Sequence, residues 1–114
     1  MPSTAKDRLF EVYETYRKAK ESRELDWRDA TTLAQVQKIQ KNVVNLETAY
    51  LKAAASALDA NGAAIEEAYE SAKSARETME AAYEEAKALP ERIRAVSDAA
   101  KKVAGLVKKA SAKL

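Results

Sequence analysis

The chain has 114 residues, of which 46% are hydrophobic and 33% charged, so one folded domain is expected and generic disorder is excluded. Twenty basic and 18 acidic residues leave a net charge of +2, which excludes a strong field over the whole molecule. The absence of Cys and His excludes disulfides, thiolate or imidazole metal sites and Ser–His nucleophiles, and two glycines are too few for a phosphate loop. We therefore expect a protein that is not an enzyme and holds no metal or cofactor.

The sequence shows no targeting pattern. Charged residues follow the first few positions at once, and the longest uninterrupted apolar run has three residues, Ala53–Ala55. A secretory signal needs an apolar stretch of roughly 7–15 residues, and a membrane span needs about 20. We expect a cytoplasmic protein, although export without a cleaved signal would leave no sequence pattern.

The residue types and their spacing predict an all-α antiparallel bundle. Ala, Glu, Lys and Leu dominate, and apolar residues recur at intervals of three and four. The predicted helices are about 4–21, 26–60, 63–89 and 91–112, within a single domain. At 1.5 Å per residue the second helix would be roughly 50 Å long.

Three breaks separate these helices. The stripes that begin at Leu9 and Val36 would face opposite ways in a continuous helix, so a turn is expected at 22–26, with Asp26 as the cap of the second helix. One long kinked helix is the alternative. Asn61-Gly62 predicts the second turn, because both residues tolerate a left-handed conformation. Pro90 predicts the start of the fourth helix.

The second and third helices are predicted to form a long central hairpin around Asn61-Gly62. Alanines lie on both sides of that turn, which permits close packing but buries little apolar area, and a thin core is often completed by another chain. We expect the most buried side chains to be Val36, Ile39, Val43, Leu46, Ile65, Met79, Ile93, Val96, Val103 and Val107.

The third helix carries a coiled-coil period and an acidic side. Residues 64–77 and 78–91 share seven identities at a spacing of fourteen, which is two heptads. Five carboxylates are placed away from the apolar stripe: Glu66, Glu70, Glu77, Glu80 and Glu84. Metal-binding bundles add His to such carboxylates and aim them inward, so a solvated acidic face is the interpretation.

The fourth helix is basic and amphipathic. From Pro90 to the end there are seven basic residues against two acidic ones, a net of +5, whereas the other 89 residues carry a net of −3. The helix places four lysines opposite its apolar stripe: Lys101, Lys102, Lys108 and Lys109. Its apolar stripe has no aromatic residue, so a lipid surface would be bound only weakly. Without stacking aromatics or a helix–turn–helix, the pattern argues against nucleic acid.

These features favour a non-enzymatic interaction module that binds a protein partner, or a second copy of itself, through helix faces of opposite charge. Candidate partner-binding residues are the four lysines of the fourth helix and Trp27, which would be a candidate hot spot if exposed. Binding to a membrane surface through the basic helix is the alternative.

Overall fold

The computed structural model describes residues 2–111, which form four helices and no strand. The helices are α1 (Ala5–Asp29), α2 (Leu33–Ala55), α3 (Ala63–Glu84) and α4 (Leu89–Ala110). The predicted all-α bundle is confirmed. The four lengths are nearly equal, about 33–38 Å each, so the second helix is much shorter than predicted. The predicted end of the fourth helix at 112 lies outside the described residues.

The first break lies at residues 30–32, and the predicted turn at 22–26 is wrong, as is the single kinked helix. Asp26 does not cap α2 but lies inside α1, where it is buried. The cap is Thr32, whose hydroxyl accepts a hydrogen bond from the Gln35 N–H. The Gln35 side chain accepts one from the Thr32 N–H in return. This capping box satisfies two backbone donors that a helix start otherwise leaves unpaired.

The second connection, residues 56–62, begins earlier than predicted, because α2 ends at Ala55. Leu58 adopts a left-handed conformation there (φ 52°) and is buried in the core. Gly62, with φ 140°, precedes α3 directly, so the glycine serves the start of α3 and does not end α2. The connection crosses one end of the bundle, where the Ala60 N–H donates to the carbonyl of Ala110.

The third connection is residues 85–88, so the predicted end of the third helix at 89 is wrong, whereas Pro90 lies in the first turn of α4 as predicted. The N–H of Lys87 reaches back to the carbonyl of Ala82, and the N–H of Ala86 to that of Tyr83. Ala86 therefore lies in a left-handed conformation with φ 51°. Glycine is the usual residue at such a helix end, because it lacks the Cβ that makes this conformation costly.

The predicted central hairpin is wrong, because α2 and α3 do not contact each other. Helix α1 packs on α2, α3 and α4, and α4 likewise packs on the other three. The two therefore form the close diagonal of the bundle, with α2 and α3 at opposite corners. Contacts near both ends of α1 and α3 show that these helices run in the same direction, and α2 and α4 run in the other.

The core matches the predicted residues except at two positions. Val36 and Ile93 are only half-buried, and the other eight predicted core residues are buried. Nine further buried positions are alanines, spread over all four helices. Alanine gives close helix packing and little apolar area, so the core stabilises the fold less per residue than a leucine-rich one.

We predict that Ala86→Gly raises the free energy of unfolding by about 0.5–1 kcal/mol, because it relieves an exposed left-handed alanine. Urea titration measures the change. The control Ala104→Gly, at an exposed position inside α4, is expected to lower it by about 1 kcal/mol. Destabilisation by both variants would contradict the geometry of this helix end.

Candidate functional site

The buried side of α1 is polar. Its residues recur at intervals of 4-3-4-3-4, which is a core-facing spacing: Arg8, Val12, Thr15, Ala19, Ser22 and Asp26. The prediction for this helix rested on its aromatic and aliphatic residues, so it did not include this stripe of small and polar residues. The sequence does contain the pattern: small and polar side chains recur at one constant helical spacing as far as Asp26, which indicates a continuous helix up to that residue.

Arg8 anchors one end of the bundle. It is 1% exposed, and its guanidinium donates to the carbonyls of Leu58 and Ala60 at 2.8 Å each. It also donates to the Ser3 hydroxyl at 2.9 Å and pairs with the Glu66 carboxylate at 2.9 Å. The Ser3 N–H donates to the same carboxylate. Hydrogen bonds first from Ser3 and then from Arg8 lower the pKa of Glu66.

Asp26 anchors the opposite end. It is 3% exposed, accepts a hydrogen bond from the Tyr83 hydroxyl and lies 3.6 Å from the Arg92 Nε. Arg92 also donates to Asp29 at 2.5 Å. Burial raises the pKa of Asp26, and the Tyr83 hydroxyl and Arg92 oppose that rise. Burial and the contact with Asp26 raise the pKa of Tyr83.

These buried groups hold helices together and have no room for a ligand. The cavity beside Asp26 has a volume of about 10 Å³, at or below what one water needs. A third buried pair, Glu11 with Arg76, joins α1 to α3, and Arg76 also contacts Glu80 at 2.8 Å. We therefore assign all three clusters to the structure of the bundle.

A groove with a volume of about 440 Å³ lies between α2 and α4 and is open to solvent. Four exposed lysines line it, and we call it the lysine groove: Lys38, Lys41, Lys52 and Lys101. Among residues 2–111, no acidic residue lines the groove. Within residues 2–111, none of the four ammonium groups lies within ion-pair distance of a carboxylate.

Small and amide side chains form the floor of the lysine groove. Ala49 and Ala100 are buried there, which lets an incoming chain approach the two helices closely. Asn42 crosses beneath the groove, where its amide oxygen accepts from the Ser97 hydroxyl at 3.1 Å and its nitrogen faces the Ile93 carbonyl at 3.5 Å. These contacts fix α2 against α4 and so fix the distance between the three groove lysines of α2 and Lys101 of α4.

The structure divides the predicted lysines of α4 between two places. All four are exposed, and Lys101 lies in the lysine groove. Lys101, Lys102 and Lys109 also line a smaller groove between α3 and α4, opposite Glu67, and Lys108 lies outside both. The groove lysines of α2 were not predicted, because the predicted hairpin placed α2 against α3, whereas in the structure α2 lies beside α4.

Trp27 lies on a different groove, between α1 and α2. It is 38% exposed, and the Arg23 guanidinium covers its ring at 5.0 Å. Val36, Val44 and Lys41 line the same groove. Two leucines on the outward face of α2 are more exposed still, Leu33 at 72% and Leu51 at 60%. Lys41 borders both this apolar groove and the lysine groove, so the two surfaces meet on α2.

The prediction that all five glutamates of α3 form a solvated acidic face is partly wrong. Glu70, Glu77 and Glu84 are exposed, but Glu66 and Glu80 are half-buried in ion pairs with Arg8 and Arg76. Helix α3 still carries six glutamates against two basic residues, whereas α4 carries six basic residues against two acidic ones and α2 three lysines against one glutamate. The bundle is therefore basic along α2 and α4 and acidic along α3.

In the part of the chain that the structure describes, no cluster of three or more acidic side chains could hold a metal ion, and no helix is long and apolar enough to cross a membrane. Comparison with models of known families, with curated proteins and with solved structures found no match. The site therefore has to be interpreted from its own residues.

We predict that Arg8→Ala lowers the free energy of unfolding by about 3 kcal/mol, since it leaves buried carbonyls and the Glu66 carboxylate without their donor. Urea titration of the parent and of the Arg8→Ala variant measures the difference in the free energy of unfolding. The control Arg17→Ala removes an arginine that pairs with Glu14 and Glu21 on the surface, and is expected to cost at most about 1 kcal/mol. Equal costs would contradict the anchoring role of Arg8.

We also predict a pH effect at Glu66. Its lowered pKa means that the folded state favours the carboxylate, so this stability is present above the ordinary value of 4.5 and is lost as the pH falls through the folded value. Glu66→Gln should therefore lose less stability than the parent between about pH 6 and about pH 3. Glu70→Gln, at an exposed position, is the control and should follow the parent.

Proposed function

We propose that this chain is a non-enzymatic interaction module whose lysine groove binds an acidic helical surface of a protein. The observation that carries the proposal is the set of four exposed ammonium groups around the groove, where the described part of the chain provides neither an ion-pair partner nor a lining carboxylate. The four ammonium groups repel one another because they lie on one face. The carboxylates of an acidic partner offset this repulsion and are themselves attracted to the ammonium groups.

The shape of the groove favours a helix as the bound element. Lys38 and Lys52 are fourteen residues apart on α2, so the basic surface extends over about 21 Å. A third helix can lie along the groove between two packed helices, with its side chains between theirs. A compact anion could contact only part of this length. No aromatic residue lines the groove, so it offers no stacking surface for bases.

The alternative of a membrane surface has less support. It needs the apolar side of α4, and in the bundle that side is buried: Val96, Val103, Leu106 and Val107 pack in the core. Insertion into lipid would require α4 to leave the bundle. Protein binding through the exposed lysines requires no such opening.

The proposal is tested with a labelled helical peptide of alanines that carries glutamates seven residues apart on one face. We expect saturable binding to the parent protein at low salt. A groove variant should bind at least about tenfold more weakly. It reverses the charges of the groove: Lys38→Glu, Lys41→Glu, Lys52→Glu and Lys101→Glu. Fluorescence anisotropy measures the affinities.

The matched control reverses four exposed cations outside the groove, which gives the same net charge: Lys6→Glu, Lys20→Glu, Arg28→Glu and Lys87→Glu. When the variants are compared at about 0.15 M salt, where the Debye length is about 8 Å, it should bind the peptide within about threefold of the parent, because charges farther from the peptide than this are largely screened. If both variants lost the same affinity for the peptide, net charge alone would explain the loss, and the proposal would be overturned. Failure of the parent to bind, or binding of single-stranded DNA in preference to the peptide, would overturn it as well.

A further inference from the structure

The outward stripe of α3 has the chemistry and the spacing that the lysine groove requires. Its residues recur at intervals of 4-3-4-3-4-3 and are acidic or small: Ala63, Glu67, Glu70, Ser74, Glu77, Ala81 and Glu84. All are exposed except Ala81, which is half-buried. Among the described residues, none of the four glutamates lies within ion-pair distance of a cation. We call these seven residues the acidic stripe.

We infer that the acidic stripe of one molecule occupies the lysine groove of a second copy of this chain. The inference rests on the proposed function and names its partner. Glu70, Glu77 and Glu84 repeat every seven residues over about 21 Å, the same length that separates Lys38 from Lys52. On the α4 side Lys101 lines the groove, and the exposed Arg94 and Lys108, which lie outside the groove lining, flank it along α4 at the same interval.

Small residues on both surfaces allow the helices to approach closely. Ala63, Ser74 and Ala81 lie between the glutamates of the acidic stripe, and Ala49 and Ala100 form the floor of the groove. A helix with short side chains at these positions can settle between α2 and α4. Its longer glutamate side chains then reach outward to the three lysines on the α2 rim and to Lys101 on the α4 rim.

The contact has to be head-to-tail. A two-fold contact of groove with groove would oppose lysines, and one of stripe with stripe would oppose glutamates, which is repulsive in both cases. Helix α3 and helix α2 lie at opposite corners of the bundle, so one molecule presents its stripe and its groove in different directions. Each molecule can therefore engage two others, and such contacts form open chains or rings.

Sedimentation equilibrium tests this on the full chain, whose mass is 12.5 kDa. At roughly 0.01 M salt, where the Debye length is about 30 Å, we expect the average mass to rise with concentration beyond twice the chain mass. At about 1 M salt it should return to the chain mass. A parent that stays monomeric at millimolar concentration and low salt overturns the inference.

Two neutral variants determine the direction of the contact. The stripe variant carries Glu70→Gln, Glu77→Gln and Glu84→Gln. The groove variant carries Lys38→Gln, Lys41→Gln, Lys52→Gln and Lys101→Gln. Each alone should remain monomeric, and an equimolar mixture should form a complex of one chain of each that grows no further. Association of either variant alone, or no complex in the mixture, overturns the inference.

A stripe control removes three exposed carboxylates elsewhere, with Glu21→Gln, Glu24→Gln and Glu91→Gln, and should associate as the parent does. Its loss of association would overturn the assignment to α3. The peptide experiment separates this inference from the proposed function. If the groove binds the acidic peptide while the parent remains monomeric, the function stands and the partner is another protein. If the peptide does not bind, both fail.

Discussion

The bundle depends on the pairing of the charges that α1 buries. Arg8 and Asp26 lie near its two ends, and neither can remain buried without partners, because a buried unpaired charge costs several kcal/mol. The partners of Arg8 are the carbonyls of residues 58 and 60 and the carboxylate of Glu66 on α3. The partners of Asp26 are Tyr83 on α3 and Arg92 on α4. Satisfying α1 therefore brings the second half of the chain around it.

The buried charge pairs fix the relative positions of the helices, which an alanine-rich core alone does not. Short side chains pack in many registers with similar energy, so alanines alone specify the relative positions of α3 and α4 poorly. The forked guanidinium of Arg8 accepts only one arrangement of its partners, and the contact between Asp26 and Tyr83 fixes the other end. We attribute to these pairs the register of the helices more than the stability of the bundle.

The sequence predicted the elements whose buried side is apolar. Helix α4 follows a strict apolar rhythm and has Pro90 in its first turn, so its start was predicted closely, and all of its predicted core residues except the half-buried Ile93 are buried. Helix α1 buries arginine, threonine and aspartate, and a search for apolar periodicity ended the helix before Asp26. The capping box of Thr32 and Gln35 was visible in the sequence, but the phase argument placed the break elsewhere.

The packing of helix pairs was harder to predict than the helices. A hairpin of α2 and α3 follows from their order in the chain, whereas the seven residues of 56–62 are long enough to cross the bundle. Arg8 and the backbone of Ala110 hold this crossing in place. Those contacts join residues about fifty positions apart, and helical periodicity carries no information about them. The lysine groove depends on the same crossing, since it exists only where α2 lies beside α4.

Arginine and lysine take different places in this molecule, and that division produces the candidate site. Among the described residues, every ion pair is made by arginine except one of Lys87 with Glu85. Arg8, Arg76 and Arg92 use the acidic groups that lie near the core, because a guanidinium is weakly hydrated and binds several acceptors at once. The lysines of α2 and α4 remain exposed, and among the described residues none of them lies within ion-pair distance of a carboxylate. Four exposed glutamates that make no ion pair among the described residues lie at the far corner, on the outward face of α3. A bundle that satisfies its interior with arginines thus leaves two separated surfaces of opposite charge, and a second molecule can bring them together.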